Sequence, residues 1–250
     1  MKVLSISLLS FLLSLASPLA SVYGQQLDRP YYERKGDIIW DIPMKKKMVA
    51  ITFDDGPHPV YTPQILDVLK KYDAHSTFFL LGAHMKKYPE IVNREVAEGH
   101  EIGNHTYSHP SFHNIPESSL IDEVQTTQHL IDTFQHLSGT FQPRKMKLFR
   151  PPGGVLNKQI INTLTNDNYK IILWSWHQDT KDWTNNGVQN IANHVLSNVQ
   201  NGDIILLHDS GGNRTQTVQA LQIILPELQK KGYTFVTVGE LLQNHPKFKH

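Results

Sequence analysis

"VAITFDDGPHP", Val49 to Pro59, begins as a buried strand and ends in two adjacent aspartates followed by a Gly-Pro turn. Val-Ala-Ile-Thr-Phe belongs in a core. Asp54 and Asp55 then stand side by side at its end, where like charges repel and push one pKa upward unless a cation or a division of roles separates them. The rest of the chain must supply that cation, or the pair is only a solvated turn.

Working outward, short apolar or β-branched runs alternate with amphipathic segments, the pattern of βα units in a parallel sheet. Strands are predicted at "MVAITF" 48–53, "STFFLL" 76–81, "HEIGN" 100–104, "MKLFR" 146–150, "KIILWSW" 170–176, "DIILLH" 203–208 and "YTFVTV" 233–238. Between them, Thr62-Pro63 reads as an N-cap with proline at the first helical position. Gly99, Gly139, Gly202 and Gly232 stand where helices should stop. The longest helix is expected over 117–137, with Leu120, Val124, Ile131 and Phe134 on or near one face. The expected fold class is α/β, a distorted and incomplete (β/α) barrel of about seven parallel strands. Residues 45–250 form that single domain, and residues 25–44 form an extension that wraps it. The Lys45-Lys46-Lys47 run is a solvated approach to the first strand.

The 250 residues carry a net charge of +1, so there is no basic face for nucleic acid and no polybasic membrane patch. Cysteine is absent, which excludes disulfides, thiolate metal sites and a cysteine nucleophile and leaves imidazole and carboxylate as metal ligands. At the N-terminus Lys2 precedes a charge-free apolar run that ends in small residues, and no charge returns until Asp28. Residues 1–24 therefore read as a signal peptide, cleaved before Gln25, and the mature protein is expected to be secreted and associated with the cell wall. The run is shorter than the ~20 residues of a membrane span, so no stable membrane anchor is expected.

In βα barrels the chemistry collects at the C-terminal ends of the strands. Asp54 and Asp55, "NHTYSHP", "RPPGG", "DTKDW" and His208-Asp209 all fall there. His105 and His109 answer the opening question. If the backbone is helical there, a His-x-x-x-His spacing puts two imidazoles on one face, as two ligands of one metal require. The spacing alone is weak in a chain with 14 histidines. Joined to a strand-end carboxylate, it makes a His-His-Asp set with open positions. One aspartate would bind the metal and the other would stay free as a base.

"TFDDGP", "HTYSH", "RPPGG", "DTKDW" and "ILLHD", in this order, resemble the motifs of the polysaccharide deacetylase family, the NodB homology domain of carbohydrate esterase family four. The resemblance runs from about Val49 to Leu242. It implies a NodB-type barrel and metal-dependent hydrolysis of N-acetyl groups on N-acetylhexosamine polymers. It implies Asp54 as general base, with Asp55, His105 and His109 as metal ligands. Arg150 would orient the base. Pro151 and Gly153 would meet the substrate, with the Gly153 N–H near the oxyanion. Asp182 would tune His208, the general acid, while Trp183 walls the groove and Leu206 lines a pocket for the acetyl methyl. Leu206 and His208, two apart on a strand, share a face.

Amide hydrolysis needs an activated water, a base and an acid, and this set supplies all of them. The metal is expected to be Zn²⁺, with Co²⁺, Ni²⁺ or Mn²⁺ as alternatives. The expected substrate is peptidoglycan, acting through its N-acetylglucosamine residues, and the protein is expected to be a monomer. A chitin or chitooligosaccharide deacetylase is the alternative, and a non-catalytic carbohydrate-binding protein is the rival from another class. Taken singly, Arg150 could be a surface ion pair, and Asp179 reads as a helix cap. Trp174 and Trp176 read as strand packing. His58, His113 and His177 match no ligand position. The Asn104-His105-Thr106 glycosylation sequon is set aside, because a glycan would block His105.

Overall fold

A computed structural model describes residues 28–138 and 146–248. The expected signal segment and Gly139 lie outside them. Strand β2 (Met48–Asp54) is buried along its whole length, as its apolar composition requires. Around it run β1 (Ile38–Ile39), β3 (Ser76–Leu80), β4 (Glu101–Asn104), β5 (Lys147–Phe149), β6 (Tyr169–Ile172) and β7 (Ile204–His208). They form one parallel sheet in the order β1-β6-β5-β4-β3-β2-β7, and the short β8 (Thr234–Phe235) pairs with the start of β2. Among the described residues no ladder joins β1 to β7, and the seam carries isolated bridges such as Asp41 with Asp203, so the barrel is incomplete as expected.

The eighth strand is β1, which lies within the segment expected to wrap the barrel as an extension. Helix α1 (Arg29–Lys35) precedes it. Ile38 and Ile39 pair with Ile171 and Ile172, and Trp40 and Ile42 are buried beyond them. At the seam Gly202 (φ 92°) donates and accepts backbone bonds, and a Cβ there would stand 1.8 Å from the Ile42 carbonyl oxygen. Gly202 is thus needed for a close backbone approach. It does not stop a helix, since α7 (Val188–Asn198) has already ended.

Side chains alternate along β2. Val49, Ile51 and Phe53 pack outward on α2 (Tyr61–Lys71) and α8 (Thr215–Lys230), through Ile65, Leu69, Leu221 and Leu225. Met48 and Ala50 face a second cluster with Phe79 and Ile204. The period of two carries Thr52 and Asp54 onto that inner face. The same alternation on β7 places Leu206 and His208 above Ile204.

The remaining helices are α3 (Gly82–Lys87), α4 (Pro89–Ala97), α5 (Glu117–Leu137), α6 (Lys158–Asn166) and α9 (Val238–Gln243). Helix α5 has the expected bounds, and Leu120, Val124 and Ile131 are buried on it. Thr62 is not an N-cap, because α2 begins one residue earlier and carries no side-chain cap. Its hydroxyl instead accepts from the His58 N–H and donates to Asp209. Strand β6 stops at Ile172, four residues short of the expected end. Trp174 and Trp176 therefore lie beyond the strand, and Trp176 is 69% exposed where packing was expected.

Candidate active site

Thr52 is the one hydroxyl on the inner face of β2, and it starts the polar network. It donates to the Ile205 carbonyl and accepts from Arg150, both at 2.8 Å. Arg150, just past β5, is completely buried over the Phe79 ring. Its Nε and one terminal nitrogen bond the Ile172 and Leu173 carbonyls, and the other terminal nitrogen reaches Asp54 Oδ1 at 2.7 Å. The guanidinium ties β2, β5 and the end of β6 together and fixes one oxygen of Asp54. Burial lowers its pKa, against the pull of Asp54, and a buried pair of this kind persists only when its remaining donors are satisfied.

Asp55 leaves the strand with φ 75°, which turns its carboxylate toward His105 and His109. Its Oδ1 lies 3.5 Å from Nε2 of each imidazole, beyond a good hydrogen bond, and has no other partner although buried. The Nδ1 of His105 bonds the Arg150 carbonyl at 2.7 Å, so this nitrogen carries the proton and Nε2 is left with a lone pair that faces the same space as the Asp55 carboxylate. Two lone-pair nitrogens and a carboxylate oxygen, all within 4.8 Å of one another, form a donor set that a divalent cation fits. Burial would raise the carboxyl of Asp55, but His105, His208 and His109 hold it well below the usual range.

The two histidines do not share a helix face. They lie on a loop in which Thr106 (φ 74°) and His109 (φ 59°) are left-handed, and a β-branched residue is strained there. Side-chain bonds hold the loop in place. The Asn104 carboxamide accepts from the Thr106 N–H and donates to the Val124 carbonyl, and the Thr106 hydroxyl accepts from the His109 N–H. Glu123 on α5 accepts from the N–H groups of Tyr107 and Ser108 and from the Ser108 hydroxyl.

Across the cleft, His208 Nδ1 donates to Asp182 Oδ1 at 2.7 Å, which leaves Nε2 for the cleft. Asp182 is buried, and its other oxygen accepts from the His208 N–H and the Thr217 hydroxyl. Burial opposes the imidazolium of His208, but the bond to Asp182 and the fields of Asp182, Asp54 and Asp55 raise its pKa to about 9. Next to it Asp209 is buried, raised to about 7 chiefly by burial, and accepts from Thr62. It presses on Gly56, where a Cβ would meet its carboxylate at 2.3 Å.

These groups surround a cleft of about 430 Å³. Of the predicted residues, Asp54, Asp55, His105, His109, Gly153, Trp183, Leu206 and His208 line it. Arg150 and Asp182 stand behind the lining as supports. Pro151 is buried and is not among the residues that line the cleft; its carbonyl accepts from the Gly154 N–H and shapes the turn. The lining also includes Gly154, Trp174, Asp179, Gly211 and Arg214, to which the sequence reading assigned no site role. Arg214 bonds the Ser210 and Gly211 carbonyls, and the polar run after β7 was a usable signal for it.

A family model described as "Polysaccharide deacetylase" matches residues 41–172. A peptidoglycan-N-acetylglucosamine deacetylase of Bacillus cereus is 45% identical over 222 residues, covering 89% of this chain and 99% of its own length. A chitooligosaccharide deacetylase of Bradyrhizobium sp. is 35% identical over 206 residues, covering 78% of this chain and 90% of its own. Among solved structures, the Bc1960 peptidoglycan N-acetylglucosamine deacetylase, in complex with 4-naphthalen-1-yl-N-oxidanyl-benzamide, superimposes with a TM-score of 0.77 at 38% identity, covering 85% of this chain and 96% of that one.

Proposed function

The chain belongs to the polysaccharide deacetylase family, and from that premise we propose that it removes N-acetyl groups from the N-acetylglucosamine residues of cell-wall peptidoglycan. The observation that carries this reading is the pair of supported groups on either side of the Asp55-His105-His109 set: Asp54 held by Arg150, and His208 held by Asp182. The 45% identity to a deacetylase that acts on this polymer supports the choice of substrate.

Asp55, His105 and His109 would hold the divalent cation, and two imidazoles with one carboxylate suit Zn²⁺, with Co²⁺, Ni²⁺ and Mn²⁺ as alternatives. When bound, the ion polarises the acyl oxygen and lowers the pKa of water. Asp54 accepts the proton of the attacking water through the oxygen that Arg150 leaves free. The Gly153 N–H, at the cleft edge, meets the developing oxyanion, and Leu206 faces the acetyl methyl while Trp183 walls the sugar. As the C–N bond breaks, His208 Nε2–H protonates the departing amine, and acetate and the free amino sugar result.

The charge-poor N-terminal run of the chain supports export. Among the described residues no helix is long and apolar enough to cross a membrane.

Acetate release by metal-stripped protein, with and without added Zn²⁺ or Co²⁺, tests the reading on intact peptidoglycan and on N-acetylglucosamine oligomers. Metal-dependent release from peptidoglycan is expected. Release from the oligomers alone would favour the chitooligosaccharide alternative, and release from neither by folded, metal-loaded protein would favour a binding protein.

A further inference from the structure

We propose that Arg214 binds a carboxylate at the margin of the reaction cleft and thereby favours a polymer that carries carboxylates over a neutral one; this rests on the deacetylase reading above. Arg214 lines the cleft, yet only 4% of it is exposed. Its Nε bonds the Ser210 carbonyl at 2.6 Å, and Nη2 bonds the Gly211 carbonyl at 3.0 Å. These carbonyls hold the guanidinium without neutralising it, and Nη1 has no partner among the described residues. Arg29, Arg94 and Arg150 each hold a carboxylate at 2.7 Å or closer. Among the described residues no carboxylate pairs with Arg214. A buried charge without a counter-ion is costly, and rules of this kind are broken mainly at functional sites.

The turn in front of Arg214 leaves it uncovered. Gly211 (φ 76°) and Gly212 (φ 136°) put no side chain over the guanidinium. A Cβ at Gly211 would stand 2.9 Å from Asp55 Oδ2 and 3.2 Å from Arg214 Nη2, so the cation lies beside the reactive groups. Asp55 is not its counter-ion, since that carboxylate faces His105 and His109. The surroundings are basic: burial lowers the pKa of His58, and the charges of His84, Arg214 and Lys87 lower it further. A guanidinium suits a carboxylate better than a hydroxyl, because its planar N–H groups match two oxygens at once. Peptidoglycan carries carboxylates on its peptide stems, whereas N-acetylglucosamine oligomers carry none. Acetate, formed at each turnover, has the same chemistry. The exposure of Gly211, Gly212 and Asn213 favours the polymer as the source, because it puts the site within reach of a group that hangs from a glycan chain.

The test compares acetate release from native peptidoglycan, from peptidoglycan whose carboxylates have been amidated, and from N-acetylglucosamine oligomers. For the wild type, amidation is expected to lower kcat/KM about tenfold, mainly through KM. In folded, metal-loaded Arg214→Gln that difference is expected to vanish, and Arg214→Lys is expected to keep part of it. Inhibition by added acetate is measured alongside. If amidation has no effect and acetate inhibits the wild type more strongly than Arg214→Gln, the carboxylate bound is the product's, and the preference for a charged polymer is overturned. A wild type indifferent to both amidation and acetate would overturn the carboxylate site and leave Arg214 as a brace for its turn. Equal sensitivity to amidation in the wild type and both variants would overturn the role of Arg214. A wild type that releases acetate from none of the three substrates would overturn the deacetylase reading itself.

Discussion

Asp54 and His208 are register partners on adjacent parallel strands, each gripped from behind by one side chain: Asp54 by Arg150 and His208 by Asp182. Neighbouring strands lie about 4.8 Å apart, so the backbone ladder sets the spacing of the two groups, independent of any loop. Asp55, His105 and His109 sit beyond the strands, where the chain must turn sharply to present them. The proton-transfer groups are thus built into the sheet, and the metal ligands are carried on turns.

Asp54→Asn should lower the rate of acetate release by about 10²–10⁴-fold, since it removes the base while keeping an oxygen for Arg150. Bound metal, counted by elemental analysis, should stay near the wild-type value. Loss of the metal instead would exchange the roles of Asp54 and Asp55.

The alkaline limb of activity should follow His208. Its pKa is raised to about 9, so the imidazolium is present below that pH and the acid is lost as pH rises through it. Asp182→Asn removes the negative charge that opposes burial and leaves only one acceptor oxygen. The limb in a kcat/KM profile should then move down toward the ordinary imidazole value of about 6.5. A limb that stayed near its wild-type position would show that a different group supplies the proton.

Glu123 touches no predicted ligand, yet it holds the N–H groups of Tyr107 and Ser108 between the two histidines. Glu123→Ala should weaken metal affinity by about 10–100-fold in chelator competition, with all three ligands intact. Wild-type affinity in that variant would mean the loop holds its shape unaided.

Gly202→Ala should cost about 2–4 kcal/mol in urea unfolding, because a Cβ would overlap the Ile42 carbonyl at the seam. A midpoint close to wild type would mean that the seam can open without loss.

Seven of the strands and the barrel class were legible because both faces of a parallel sheet are covered and its strands read as apolar runs. Most lining residues were legible because they stand at strand ends. The helical reading of His105 and His109 failed for a physical reason: the pair converges through left-handed Thr106 and His109, and residue spacing does not encode φ. Strand β1 was hidden by its length, since Ile38 and Ile39 carry no period. Trp176 was assigned to packing because an indole next to a strand usually packs, and nothing local told of the Arg29 guanidinium 5.7 Å from its ring centre. Glu123 was invisible for a similar reason, lying 15 residues or more from the loop it holds.

Arg150 satisfies carbonyls of Ile172 and Leu173, the hydroxyl of Thr52 and the carboxylate of Asp54 from a position with no solvent contact. Selection for a folded chain and selection for turnover therefore act on the same guanidinium. A descendant that had lost its reaction would still be held to this arginine by its architecture. Finding the arginine in another chain thus reports that the barrel is built this way, and only the cleft-facing aspartates and histidines report that it still works.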